Sequence, residues 1–191
     1  MKNMKDLADE LQLNSQLSSE DIPDLNLYMD QVIQLFEQKF SGMKRNTDEK
    51  VLTKTMINNY AKGELFFPVE NKKYSKEHLI LISMIYQMKG TLSISDVKTT
   101  LARLNEKVTD DDAFNLPELY QCYLQLMAKN AEKFEADLQE HHQDITETIR
   151  QLADNDEAYL EQIMMIAVFT NMSNHYRRAA EKLVDELGSD Q

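Results

Sequence analysis

The chain has 191 residues, 42% of them hydrophobic and 28% charged, with a formal net charge of -12, a mixture long enough for one or two packed domains and too apolar for a disordered polyelectrolyte. A single cysteine, Cys122, excludes an internal disulfide framework. The longest apolar run, Ile163 to Phe169, falls far short of the roughly 20 residues that span a bilayer, and the opening MKNMKDLADEL has no signal-peptide core, so a soluble cytoplasmic protein is expected.

Four glycines and three prolines leave little material for β-turns, and Gly42, Gly63, Gly90 and Gly188 each follow helical periodicity, where a C-terminal cap would sit. Residues 1–21 read as a short amphipathic helix using Met4, Leu7 and Leu11 and a polar connector. From Asp24 to Phe40 the apolar positions Leu27, Tyr28, Val32, Leu35, Phe36 and Phe40 recur three and four apart, which predicts a helix with one buried face. A second helix is predicted from an N-cap at Thr53 to Gly63, with Met56, Ile57 and Tyr60 inward. LFFPVENKKY, with Pro68 and a polar 70–73 tip between aromatic residues, predicts a short β-hairpin. Ser75 caps a helix carrying Leu79, Ile82, Ile85 and Met88, and another starts near Ser93 or Ser95 with Ile94, Val97, Leu101 and Leu104.

Beyond Asn115, Tyr120, Tyr123, Met127, Ala131, Phe134, Leu138, Ile145, Ile149 and Leu152 mark a long amphipathic or coiled-coil-like helix that could break near Asp144. A second helix follows from Asp156 to Leu187. The expected fold is mainly α, divided into an N-terminal helix and connector (1–21), a helical head with a hairpin (22–108) and an acidic helical region of two antiparallel or coiled-coil-like helices (109–191).

Charge is unevenly placed. Residues 43–107 hold 12 basic and 7 acidic side chains, against 3 and 8 before them and 6 and 18 after them. A chain repelled by nucleic acid as a whole therefore has one basic section, and phosphates are its natural counter-charges. Within it, Asn58 and Asn59 carry amides that can pair with adenine edges, with Lys54, Thr55, Lys62, Lys72, Lys73 and Tyr74 as accompanying DNA contacts on the helix and hairpin. The plain alternative is a solvated helix surface and hairpin tip.

In the acidic region IMMIAVF is apolar all round. One face can cover the preceding helix; the rest calls for a second subunit, with Ile163, Ile166 and Phe169 as dimerisation residues, or for a methionine-lined pocket that takes an unidentified small-molecule effector. No glycine-rich phosphate loop, serine elbow or Cys/His zinc set is present, so neither an enzyme nor a cofactor is expected. Cys122 between two tyrosines reads as buried, and EHHQD at 140–144 as solvated surface rather than a metal site.

The order helix, helix, hairpin, helix, helix, together with TMINNYAKGELFFP, KKYSKEHL and LSISDVKTTL, resembles the winged helix-turn-helix of the MerR type. LYMDQVI, KTMINNYAK and KKYSKEHL are similar, more narrowly, to a bacterial domain family of unknown function regarded as MerR-like, over residues 22–105. The resemblance implies a DNA-binding transcriptional regulator acting as a dimer, with its recognition helix near 53–62 and its wing near 64–74. The alternative is a protein-protein adaptor that keeps the scaffold without binding DNA. The chain departs from the MerR pattern where Ile57, Asn58 and Asn59 replace an Arg-Tyr-Tyr run, and where the loop 41–50 is longer than a tight turn.

Overall fold

The computed structural model describes residues 3–189. In chain order the elements are α1 (Met4–Leu11), β1 (Leu27–Tyr28), α2 (Met29–Phe40) followed by a 3-10 turn (Ser41–Met43), α3 (Lys54–Lys62), β2 (Lys73–Tyr74), α4 (Lys76–Met88), α5 (Ile94–Asp110), α6 (Leu116–Arg150) and α7 (Glu157–Ser189). The described chain is mainly helical with one small antiparallel sheet, in which Leu27 pairs with Tyr74 and Tyr28 with Lys73.

Local chemistry accounts for most helix starts. Thr53 Oγ1 accepts the Met56 N–H at 3.1 Å, Ser93 and Asp96 exchange bonds in a capping box, and Ser75 does the same with His78, each satisfying donors that a helix leaves unpaired. The end of α3 is a Schellman motif: Leu65 N–H donates to the Tyr60 carbonyl and Glu64 N–H to the Ala61 carbonyl. Its left-handed residue is Glu64, at φ 57, rather than a glycine. Gly63 leaves room instead, since a Cβ there would lie 2.8 Å from Leu65 Cδ1 and 3.1 Å from the Asn59 carbonyl oxygen, so that the Leu65 side chain would have to shift. Among the described residues no glycine has positive φ, so the expected glycine caps are not left-handed ones.

Several expectations are corrected by non-local pairing. The helix expected from Asp24 begins at Met29, because Leu27 and Tyr28 are drawn into the sheet with residues 73–74. The expected hairpin reduces to a tight turn: Lys73 N–H donates to the Glu70 carbonyl at 2.9 Å, with Asn71 and Lys72 at φ 49 and 60, as in the inverted turns that suit strand twist. The second strand of the sheet is β1. No break falls at Asp144; α6 is continuous for 35 residues. Cys122 is exposed, turned away from the buried Tyr120 on the same helix, and Ile94 is exposed rather than core.

The described chain divides into two compact units, each with its own core. The first consists of residues 15–125 with 180–189. Its core takes Val32, Phe36 and Phe40 from α2, Ile57 and Tyr60 from α3 and the nearly all-round buried α4. Leu17 and Tyr120 are fully buried in it, so this core extends beyond residues 22–108 on both sides. The second unit consists of residues 3–14 and 126–179. Here Met4 and Ala8 of α1 join Leu138, Ile145 and Ile149 of α6 and Met165 of α7, and the α6 and α7 segments run antiparallel through the short turn at 151–156.

Candidate nucleic-acid interface and the adjoining groove

The local reason for a polar face on α3 is its spacing. Ile57 and Tyr60 are buried, which turns Lys54, Thr55, Asn58, Asn59 and Lys62 to solvent. Five of the sequence-predicted DNA contacts therefore share one exposed helix surface. Lys72 is also exposed, in the left-handed turn after Asn71. Lys73 is exposed but engaged: its Nζ lies 5.4 Å from the centre of the Tyr28 ring.

Tyr74 does not belong with them. It is 4% exposed, packed edge-on to Phe66 and His78 with ring centres 6.2 and 5.9 Å away, and burial pushes its hydroxyl pKa up. Alternation along β2 explains the error, because neighbouring residues of a strand face opposite sides and Lys73 takes the outer one.

Beside α3 lies a groove of about 1090 Å³, walled by α3 and α5 and floored by the segment 66–69. Asn105 of α5 braces the floor. Its Nδ2 donates to the Leu65 and Leu101 carbonyls and its Oδ1 accepts the Phe67 N–H, all at 3.1 Å. His78 braces the floor from behind. Its Nδ1 accepts the Ser75 N–H at 3.1 Å, which leaves Nε2–H to donate to the Phe67 carbonyl at 3.2 Å. Desolvation by burial lowers the His78 pKa, against the opposing effect of the Phe67 and Pro68 carbonyls. Met29, Phe67 and Val69 remain half-buried at the groove surface.

Three lysines and three acids also line the groove. Lys54 pairs with Asp30 at 2.8 Å and Lys98 with Glu64 at 2.9 Å. The Lys98 ammonium holds the Glu64 carboxyl below its ordinary value. All four side chains are largely in water, with Asp30 and Glu64 73% and 79% exposed, so both ion pairs are weak and exchangeable. The third lysine and acid are Lys72 and Glu106. Asp30, Glu64, Lys98 and Asn105 were missed at the level of sequence. For α5 a usable signal existed: Lys98, Ala102 and Asn105 fall four and three apart on a side away from the apolar stripe.

In the helical region Ile163 and Ile166 are exposed, whereas Phe169 is half-buried against its own chain, 6.2 Å from both the Phe134 and His141 rings. Phe169 thus closes an internal contact. Among the described residues no three His, Cys, Asp or Glu side chains come together as a metal site, and no helix is long and apolar enough to cross a membrane.

These features define a mainly helical protein with a small two-stranded sheet, whose exposed polar helix borders an amphipathic groove. The chain belongs to the family described as a domain of unknown function (DUF1836), which matches residues 17–123. That span nearly coincides with the continuous stretch 15–125 of the first compact unit. No curated protein and no solved structure matches the chain.

Proposed function

We propose that this protein is a cytoplasmic, dimeric, DNA-binding transcriptional regulator whose residues 22–108 form a MerR-like winged helix-turn-helix. In this reading α2 and α3 are the helix pair, α3 enters the major groove, and the turn at 70–73 is the tip of a short wing. One observation carries the reading: Ile57 and Tyr60 anchor α3 so that Lys54, Thr55, Asn58, Asn59 and Lys62 are exposed together, in the one section of the chain with a basic excess. Asn58 and Asn59 read base edges, while Lys54, Lys62 and Lys72 hold phosphates. Ile163 and Ile166 contribute to the dimer contact.

A protein-protein adaptor is the second reading. The placing of Asp30 beside Lys54 and of Glu64 beside Lys98 favours it, because a carboxylate next to each ammonium lessens its attraction for a phosphate.

Selection of bound duplexes from a random pool, followed by titration of Asn58→Ala, Asn59→Ala and Lys72→Asn, tests the proposal. Each Asn variant should relax preference at particular base pairs by on the order of 1–3 kcal/mol and leave non-specific binding nearly intact. Lys72→Asn should weaken all duplexes and lower the slope of log affinity against log salt by about one. A full-length chain that enriches no sequence and shows no salt-sensitive association would leave the adaptor reading in possession.

A further inference from the structure

We propose that the groove between α3, segment 66–69 and α5 is a binding site for a small amphipathic monoanion, a carboxylate with an aromatic or branched aliphatic body. Its volume of about 1090 Å³ is of the size that accommodates a small organic ligand, and its lining has the expected form, an apolar floor with a few polar groups at the margin. The floor is the part that DNA contact leaves unused. Phosphates and base edges are held by Lys and Asn, yet Met29, Phe67 and Val69 keep apolar surface open to water beside them, and covering that surface is favourable.

The margin selects the charge of the head group. Lys54 and Lys98 are held only by the highly exposed Asp30 and Glu64 carboxylates, which a ligand carboxylate can replace at little cost because water already competes with them. Lys72 has no ion pair among the described residues. Among those residues it is the groove's single ammonium without a carboxylate partner, which matches one anionic group. Glu106 lies eight residues beyond Lys98 on α5, roughly 12 Å along the axis, and its carboxylate disfavours a second anionic group at that part of the groove. The site shares a face with the proposed DNA contact, and occupancy would compete with a duplex; the inference itself does not depend on DNA binding.

Naphthalene-2-carboxylate and naphthalen-2-ylmethanol share a bicyclic body and differ in head-group charge, so calorimetric titration of the full chain with each, with amide shifts followed by NMR, is the test. The carboxylate should bind about tenfold more tightly than the alcohol, the factor expected for one charge-assisted contact, and should shift the amides of Phe67, Val69 and Ala102. Ala61→Trp adds bulk from an exposed position on α3 that lines the groove, and should abolish binding of both probes while leaving the thermal midpoint unchanged. Lys72→Asn keeps a residue that tolerates the left-handed turn, and should lower the preference for the carboxylate without weakening the alcohol. Equal affinity for the two probes, undiminished binding by folded Ala61→Trp, or no groove shifts at the solubility limit would each overturn the proposal. Carboxylate binding in a chain that never binds a duplex would sustain it while the regulator reading fails, and duplex binding without it would do the reverse.

Discussion

The two compact units treat their buried polar groups differently. In the unit containing residues 15–125, the Tyr120 hydroxyl donates to the Leu17 carbonyl at 2.7 Å and receives Ser83 Oγ–H at 2.9 Å, and Asn105 and His78 tie the 65–67 backbone to α5 and α4. The unit containing residues 126–179 has an apolar core of six buried residues, and its Thr146 Oγ1 is buried without a partner. A helix hairpin needs only apolar stripes, because its backbone bonds are internal. A short sheet, a tight turn and an irregular floor segment leave backbone groups that side chains must satisfy. The bonded polar core therefore lies where irregular backbone must be held, and the groove and the exposed face of α3 belong to the same unit.

The largest expected effect tests whether each unit rests on its own core. Phe36 is fully buried and meets Phe40 at 5.7 Å and Tyr86 at 6.5 Å, so Phe36→Ala should cost about 3–5 kcal/mol. Leu138 is fully buried in the other unit, and Leu138→Ala should cost about 2–5 kcal/mol. Hydrogen exchange should place each loss mainly in amides of the unit that carries the substitution. Uniform loss of protection across residues 15–179 in either variant would show that the division has no energetic counterpart.

The second test concerns the polar groups themselves. Tyr120→Phe strands the Leu17 carbonyl and removes the acceptor of Ser83, and should cost about 1–3 kcal/mol in denaturant unfolding. Burial pushes the Tyr120 hydroxyl up to about 12, so it stays a donor throughout the usable pH range. Thr146→Val removes an unsatisfied hydroxyl at nearly constant volume, and should be neutral or stabilising by up to about 1 kcal/mol. Equal and opposite behaviour, with Thr146→Val the costly change, would invert the comparison.

His78 adds a pH dependence to the first unit. Its folded pKa is depressed from 6.5 chiefly by burial, so below about pH 6.5 the unfolded chain takes up the proton more readily than the folded one. The contribution is fully present above the unfolded value and is lost as pH falls through the depressed folded value. Unfolding midpoints between pH 7.5 and 5 should decline more steeply for the wild type than for His78→Gln, even if that variant is less stable at both ends. Parallel profiles would remove His78 as the cause.

What was legible in the sequence follows the same division. Helices α3, α4 and α5 announced themselves through Thr53, Ser75 and Ser93, whose caps are local chemistry, and the exposed face of α3 followed from the burial of Ile57 and Tyr60. Pairing across the chain left no local trace. The two-residue strand at Leu27–Tyr28 exists only because residues 73–74 come alongside, and this one pairing moved the start of α2, exposed Tyr28 and buried Tyr74. Likewise the groove is assembled from α3, residues 64–69 and α5, with Asn105 bonding forty residues back along the chain to Leu65. Periodicity reports which side of a helix is apolar, but not what that side will meet.

The smallest expected effect on folding falls on the exposed side of α7, where neighbouring residues separate fold from assembly. Met165 is buried, and Met165→Glu would place an unpaired carboxylate in the core and should unfold the 126–179 unit. Ile166 is 60% exposed in the single chain; Ile166→Glu adds charge to a surface position and should change stability of the monomer by no more than about 0.5 kcal/mol. If Ile163 and Ile166 contribute to a dimer contact, the same substitution should turn a dimer into a folded monomer, because desolvating a new carboxylate on association is unfavourable. Light scattering with circular dichroism distinguishes the outcomes: a helical monomer for Ile166→Glu against a wild-type dimer supports the contact. A wild type that is already monomeric at micromolar concentration removes it, and a dimer untouched by Ile166→Glu places the subunit contact on another surface.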